Sequence, residues 1–281
     1  MKYLFGAFVG VVSVIGFAQG QSTFGPGQEF AYGANTGWLN FRADETNGVQ
    51  VTETYLSGYA YGANTGWMVL GDGSPVNGHT YSNASGDTGV NLSPEGVLSG
   101  YAWSANVGWV DFGWAEAKDP NVARIDLLSG EVSGFAYSAN TGWIALGTPG
   151  QKLVTTSIHC PDSDSDGIGD AWEQVHFGKL STVGVGTDHD KDGVNDASEF
   201  VAGTDPDDAA DFFGVIRKEF NEGATQATVE FSSVPGRVYR VEHTTDVVNG
   251  AWTDSVHGIF LADAGATTTK VITTSTADRR Y

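Results

Sequence analysis

In residues 58–70, GYAYGANTGWMVL, aromatic and small side chains alternate before the central Ala-Asn-Thr-Gly, and Trp67 and Val69 alternate with Met68 and Leu70 after it. Period-two patterning on both sides of a turn signal predicts a β-hairpin. Asn bonds readily to turn backbone and Gly accepts a positive φ, so a type I turn closed by a Gly bulge is expected. The phrase recurs. YGANTGW stands at residues 32–38 and 61–67, WSANVGW at 103–109 and YSANTGW at 137–143, with Trp spacings of 29, 42 and 34. The copies extend outward, as in YLSGYAYGANTGWMVLG (55–71), VLSGYAWSANVGWVDFG (97–113) and EVSGFAYSANTGWIALG (131–147). A further strand-like piece precedes each of these (GVQVTE, GVNLSP, VARIDLLSG), whereas the first copy lacks one.

A unit of about three strands cannot bury its own aromatics, so the four units are expected to pack together. The predicted form is a solenoid-like or propeller-like β-repeat domain over residues 21–150, with Trp38, Trp67, Trp109 and Trp143 as a core rung. Residues 151–161 read as a linker or closing strand, with 152–159 (KLVTTSIH) available to pair with the first copy. Strand patterning returns after residue 212 in FGVIRKEF, TQATVEFS, RVYRVEHT, SVHGIFL and TTKVITT, with Asn249-Gly250 as a turn. In TQATVEF, Ala227, Val229 and Phe231 share one face and Thr228 and Glu230 the other, the mark of a half-buried strand. A small β-sandwich over residues 212–281 is expected, ending at Arg280-Tyr281 in what reads as mid-strand. The fold class is therefore mainly β.

Charge changes the picture. The chain of 281 residues carries a formal charge of −20. That excludes nucleic acid and disfavours anionic membrane surfaces, because like charges repel. Fourteen acidic residues lie between 160 and 211 against Lys179 and Lys191, while the tail from residue 212 holds eight acids and seven bases. A local surplus asks for a local cation. In DSDSDGIGDAWE (162–173), acids occupy loop positions 1, 3, 5, 9 and 12 as Asp162, Asp164, Asp166, Asp170 and Glu173, with Gly167 at position 6. DHDKDGVNDASE (188–199) repeats this with Asp188, Asp190, Asp192, Asp196 and Glu199 around Gly193. This is the spacing of a twelve-residue calcium loop. Alternate side chains aim inward, Gly permits the sharp turn, the backbone carbonyls of Ile168 and Val194 stand at position 7, and the closing Glu rides on a short helix. Asp205 in GTDP is a candidate additional oxygen. Without metal the carboxylates repel, so metal binding is expected to be coupled to folding.

The pattern DxDxDGxxDxxE, with a helix after the loop and His159-Cys160-Pro161 forbidding one before it, resembles thrombospondin type 3 and dockerin-like calcium repeats. With the tail VPGRVYRVEHTTDVVNGAWTD, it is similar to the C-terminal part of secreted bacterial proteins. The resemblance covers residues 162–281 and implies calcium binding over 162–211, export, and a spacer or surface role.

The N-terminus fits the same expectation. Lys2 precedes an apolar run at residues 3–17 and the small residues Ala18 and Gly20, so residues 1–20 read as a signal peptide. The rival reading is a retained anchor helix; after signal removal no membrane span is expected. Cys160 is the one cysteine and reads as a small buried hydrophobe or an intermolecular crosslink. No HExxH, G-x-S-x-G, P-loop or dinucleotide fingerprint occurs, and calcium explains the dense acids better than paired glycosidase carboxylates, so the expectation is a non-enzyme. The sequence predicts a secreted, extracellular or cell-surface structural protein (matrix, adhesion or filament component), with self-assembly or a cell-surface partner. The alternative is a carbohydrate-binding module or a non-catalytic part of a polysaccharide-acting system, stacking sugar rings on the unrepeated Trp103 and Trp114.

Overall fold

The computed structural model describes residues 7–8, 22–44, 46–148, 150–184, 186–223, 225–244, 251–255 and 257–273. The expected signal segment, the Asn249-Gly250 turn and the chain end fall outside this set, save for a two-residue strand β1 (Ala7–Phe8). The protein is mainly β, with two helices among the described residues. It divides into two compact units, one of Val14–Thr182 and the other of Val183–Tyr281 with Met1–Ser13.

In the first unit each repeated phrase folds as a hairpin. β2 (Phe24–Gly33) pairs with β3 (Gly37–Asn40), and after a short strand β4 (Gln50–Val51), β5 (Tyr55–Gly62) pairs with β6 (Gly66–Gly71). β7 (Val90–Leu92) precedes the hairpin of β8 (Leu98–Ser104) and β9 (Gly108–Asp111). β10 (Arg124–Ile125) and β11 (Glu131–Ser133) precede that of β12 (Phe135–Ser138) and β13 (Gly142–Ala145). The registers Gly33↔Gly37 and Gly62↔Gly66 leave three-residue loops, and Gly37, Gly66, Gly108 and Gly142 sit at φ 72°, 68°, 80° and 79°. These are the bulge glycines that the turn demands.

The hairpins neither stack as a solenoid nor form propeller blades. Eight antiparallel strands close into a barrel. β3 joins β5, β6 joins β8, β9 joins β12, and β13 returns to β2 through Ile144↔Gly33 and Ala145↔Tyr32. The reason is that each hairpin has one apolar face and an unpaired edge on either side. Closure satisfies both at once.

Inside, each large residue opposes an alanine: Ala31↔Leu39, Ala60↔Met68, Ala102↔Val110 and Ala136↔Ile144. All eight are at most 1% exposed. Trp38, Trp67, Trp109 and Trp143, expected in the core, instead face outward at 50%, 49%, 54% and 49% exposure. The interior of an eight-strand barrel is just wide enough for side chains to fill, and here the alanine–aliphatic pairs fill it. Strand alternation therefore sends the indole out and the following aliphatic residue in.

Residues 152–159 do pair with the first copy. β14 (Leu153–Thr155) runs antiparallel to β2 with Leu153↔Glu29, its other edge takes β11, and the Thr156 N–H donates to the Thr23 carbonyl at 2.9 Å. Beyond the barrel proper, Phe24, Phe41, Leu56, Leu98, Phe112 and Leu153 extend the same core.

The second unit contains two small sheets. β15 (Val215–Phe220), β16 (Gln226–Ser232) and β20 (Thr267–Thr273) form one. β17 (Val238–His243) pairs with β18 (Thr253–Asp254) and β19 (Phe260–Leu261) in the other, which β1 also joins. Ala227, Val229 and Phe231 are buried along β16, as their alternation predicts. Val229, Phe231, Tyr239, Val241 and Ile272 form the shared core.

Candidate metal centres and an exposed aromatic belt

The two acidic loops are built alike. In the first, the Asp162 carboxylate accepts the N–H groups of Asp166 (3.2 Å) and Gly167 (3.0 Å), and Asp166 accepts from Ile168 (2.9 Å). In the second, Asp188 accepts from Lys191 (2.8 Å) and Gly193 (3.2 Å), and Asp192 from Val194 (2.6 Å). Gly167 and Gly193 hold φ of 91° and 99°, as position 6 requires. These bonds draw the chain into a tight coil. Within it, one carboxylate oxygen each from Asp162, Asp164 and Asp166 lies within 4.8 Å of the others, and the same holds for Asp188, Asp190 and Asp192.

Each loop runs directly into a helix, α1 (Asp170–Phe177) or α2 (Asp196–Ala202), and each helix stops at a left-handed glycine, Gly178 or Gly203. The Asp170 N–H donates to the Pro161 carbonyl at 2.8 Å, and that of Asp196 to the Thr187 carbonyl at 2.9 Å, so each loop is tied shut at its base. Residues 150–169 contain no helix among those described, in keeping with the proline before the first loop.

The helices bring the closing glutamates inward. Glu173 and Glu199 are both 0% exposed. Neither Glu173 oxygen has a hydrogen-bond donor; for Glu199, Oε1 accepts from the Thr204 hydroxyl at 3.3 Å and Oε2 has none. One oxygen each of Asp166, Asp190 and Asp196 is buried without a partner too. Burial, then the charges of Asp164 and Asp166, push the Glu173 carboxyl up to about 8. Burial, then Asp190 and Asp192, push Glu199 up to about 7. A buried carboxylate beside other carboxylates is costly unless a cation joins it.

The position-9 residues also hold the loop together. Both oxygens of Asp170 accept from Ser163, its N–H at 2.7 Å and its hydroxyl at 2.6 Å, and Asp196 accepts the His189 N–H at 3.1 Å. They brace the loop as well as facing it. The Asp205 Oδ1 accepts the Asp207 N–H at 3.1 Å. Cys160 is half-buried, with its thiol 3.6 Å from Glu53 Oε2.

The outside of the barrel carries the feature that sequence reading missed. Opposite each Trp stands another aromatic: Tyr32↔Trp38, Tyr61↔Trp67, Trp103↔Trp109 and Tyr137↔Trp143. Three of these pairs share one geometry, with centroids 4.8, 4.9 and 4.7 Å apart and ring planes at 57°, 58° and 56°. A third ring (Phe30, Tyr59, Tyr101 or Phe135) meets each Trp at 6.2–6.4 Å. The result is a belt of rings, half exposed and mutually braced. Trp103 is 43% exposed. Trp114 packs at 4.6 Å on Trp143 and donates its indole N–H to the Phe135 carbonyl at 2.6 Å.

The turn asparagines were expected to bond within their own turns. They bond to the next turn instead. Asn64 Nδ2 donates to the Thr36 carbonyl (3.3 Å), Asn106 to Thr65 (3.2 Å), Asn140 to Val107 (2.9 Å) and Asn35 to Thr141 (2.9 Å). The four bonds form a complete ring around one mouth of the barrel. Strict recurrence of Asn at this position was the available signal.

No protein-family model, curated protein or solved structure matches the chain. No helix among the described residues is long and apolar enough to cross a membrane.

Proposed function

We propose that this chain is a secreted calcium-binding structural or cell-surface protein without enzymatic activity, in line with its resemblance to thrombospondin type 3-like and dockerin-like repeats. One observation carries the reading: each loop gathers three aspartates and buries a donor-poor glutamate within reach of their charges. Asp162, Asp164, Asp166, the Ile168 carbonyl and Glu173 would hold one ion. Asp188, Asp190, Asp192, the Val194 carbonyl and Glu199 would hold the other. Hard, anionic, adaptable oxygen donors in this number suit calcium, whereas magnesium demands near-ideal octahedral geometry and keeps several waters. A bound ion supplies the positive charge that the buried carboxylates lack. Sedimentation of the chain in calcium and then in chelator tests this. Compaction or particle assembly that depends on calcium is expected; identical profiles in both, with no ion bound, contradict it.

A second reading, carbohydrate binding, is favoured by the aromatic belt. Half-exposed Tyr and Trp faces held in fixed pairs suit stacking on sugar rings, and their bracing lowers the entropy cost of binding. The four pairs lie around the barrel, so a polysaccharide partner would be met on several sides. Retention in polysaccharide-containing gels, lost in Trp103→Ala or Trp67→Ala, supports this; unretarded migration on every neutral polysaccharide removes it.

A further inference from the structure

The two loops lie in different compact units, since the boundary falls at Thr182 and Val183. Each is anchored to its own unit. Leading into the first loop, the His159 N–H donates to the Val51 carbonyl at 2.7 Å. On α1, Trp172 is 7% exposed and the Gln174 side chain lies over Gly78 of the barrel unit. In the second unit, α2 ends at Ala202, whose carbonyl accepts the Tyr239 hydroxyl at 3.1 Å, while the Arg237 guanidinium lies 5.6 Å over the Phe200 ring. Tyr239 is a core residue, stacked on Phe213 at 5.7 Å and 5.4 Å from Phe231. An ion that fixes Glu199 therefore fixes α2, and α2 is one hydrogen bond from the core.

The units differ in what they have without the ion. The barrel core is continuous and its sheet is closed. The second unit's core cluster, among the described residues, is five side chains with Phe213, Phe260 and Ala262 packed against them. Cores of that size need a staple such as a metal. The second loop also carries Lys191 at position 4, where the first has Ser165, so its five acids are partly offset.

We infer that the two loops control separate folding units, and that only the second unit depends on its ion to stay folded. Falling calcium would then release residues 183–273 while the barrel and its aromatic belt persist. This rests on the calcium reading above.

The test is scanning calorimetry of the full chain in calcium and in chelator, for the native sequence and for Glu173→Gln and Glu199→Gln. Met68→Ala, which touches only the barrel core, identifies the barrel transition. Two transitions are expected in calcium. Chelation should lower the second unit's by about 10 °C or more and the barrel's by less. E199Q should reproduce the first effect alone, and E173Q should move only the barrel. A single transition shifted by both variants overturns the separation of the units. A second-unit transition indifferent to chelator, in a protein that binds calcium, overturns the dependence but leaves calcium binding intact. No calcium uptake at millimolar concentration removes the underlying reading instead.

Discussion

The chain repeats itself twice, and the two repetitions end differently. Four copies of the hairpin phrase meet in one barrel, whereas the two acidic loops fall into separate units. A hairpin with one apolar face and two open edges is incomplete and must find its siblings. A loop of carboxylates lacks only positive charge, which a single cation would provide, so it has no need of the other copy. What a repeat leaves unsatisfied decides whether repeats associate.

The sharpest way to break that comparison is to damage one hairpin. Met68→Ala should cost about 2–5 kcal/mol, because it empties a position that is 1% exposed. If the four hairpins are one cooperative structure, exchange protection should fall in all of them, including residues 135–145, and not in 55–71 alone. Loss confined to one hairpin would make the barrel a set of independent units.

On the proposed calcium reading, removal of the ion is the next largest perturbation. At a hundredfold excess over its dissociation constant, an ion stabilises its loop by about 2.7 kcal/mol. The pH dependence in chelator has a definite sign. Glu173 is raised from 4.5 to about 8, so the folded ion-free state holds a proton that the unfolded chain has released. Its contribution is complete below pH 4.5 and is lost as pH rises through 8. Protection of α1 in chelator should therefore decline from pH 5 to 8, and calcium should abolish the decline.

Smaller effects probe the ring of turns and the belt. Asn64→Ala removes one turn-to-turn hydrogen bond, for a loss of about 0.5–1.5 kcal/mol in chemical denaturation. Trp67→Ala, although it deletes a far larger side chain, should cost no more than about 0.5–1.5 kcal/mol, the worth of its ring contacts. A cost matching that of Met68→Ala would place the indole in the core after all.

The sequence displayed whatever is local. The bulged turn, the alternation along β16, the two acidic loops and the helix after each loop are set by neighbours within a dozen residues. It hid what depends on closure. Alternation in GWMV separates Trp67 from Met68 but does not say which side is inside; that is settled only when the eight strands close around the alanine–aliphatic pairs. The partner of Asn35 is Thr141, 106 residues away, and no local reasoning reaches it. In the loops, the spacing did not reveal that Asp170 would bond to Ser163 or Asp196 to His189, because those bonds depend on how the backbone coils.

The most direct test of the central claim is calorimetric titration of calcium into the chelator-stripped full chain, beside Glu173→Gln and Glu199→Gln. Two ions per chain are expected, one lost in each variant, with the affinity of the remaining site unchanged. No heat up to millimolar calcium, or loss of both sites in either variant, would contradict it.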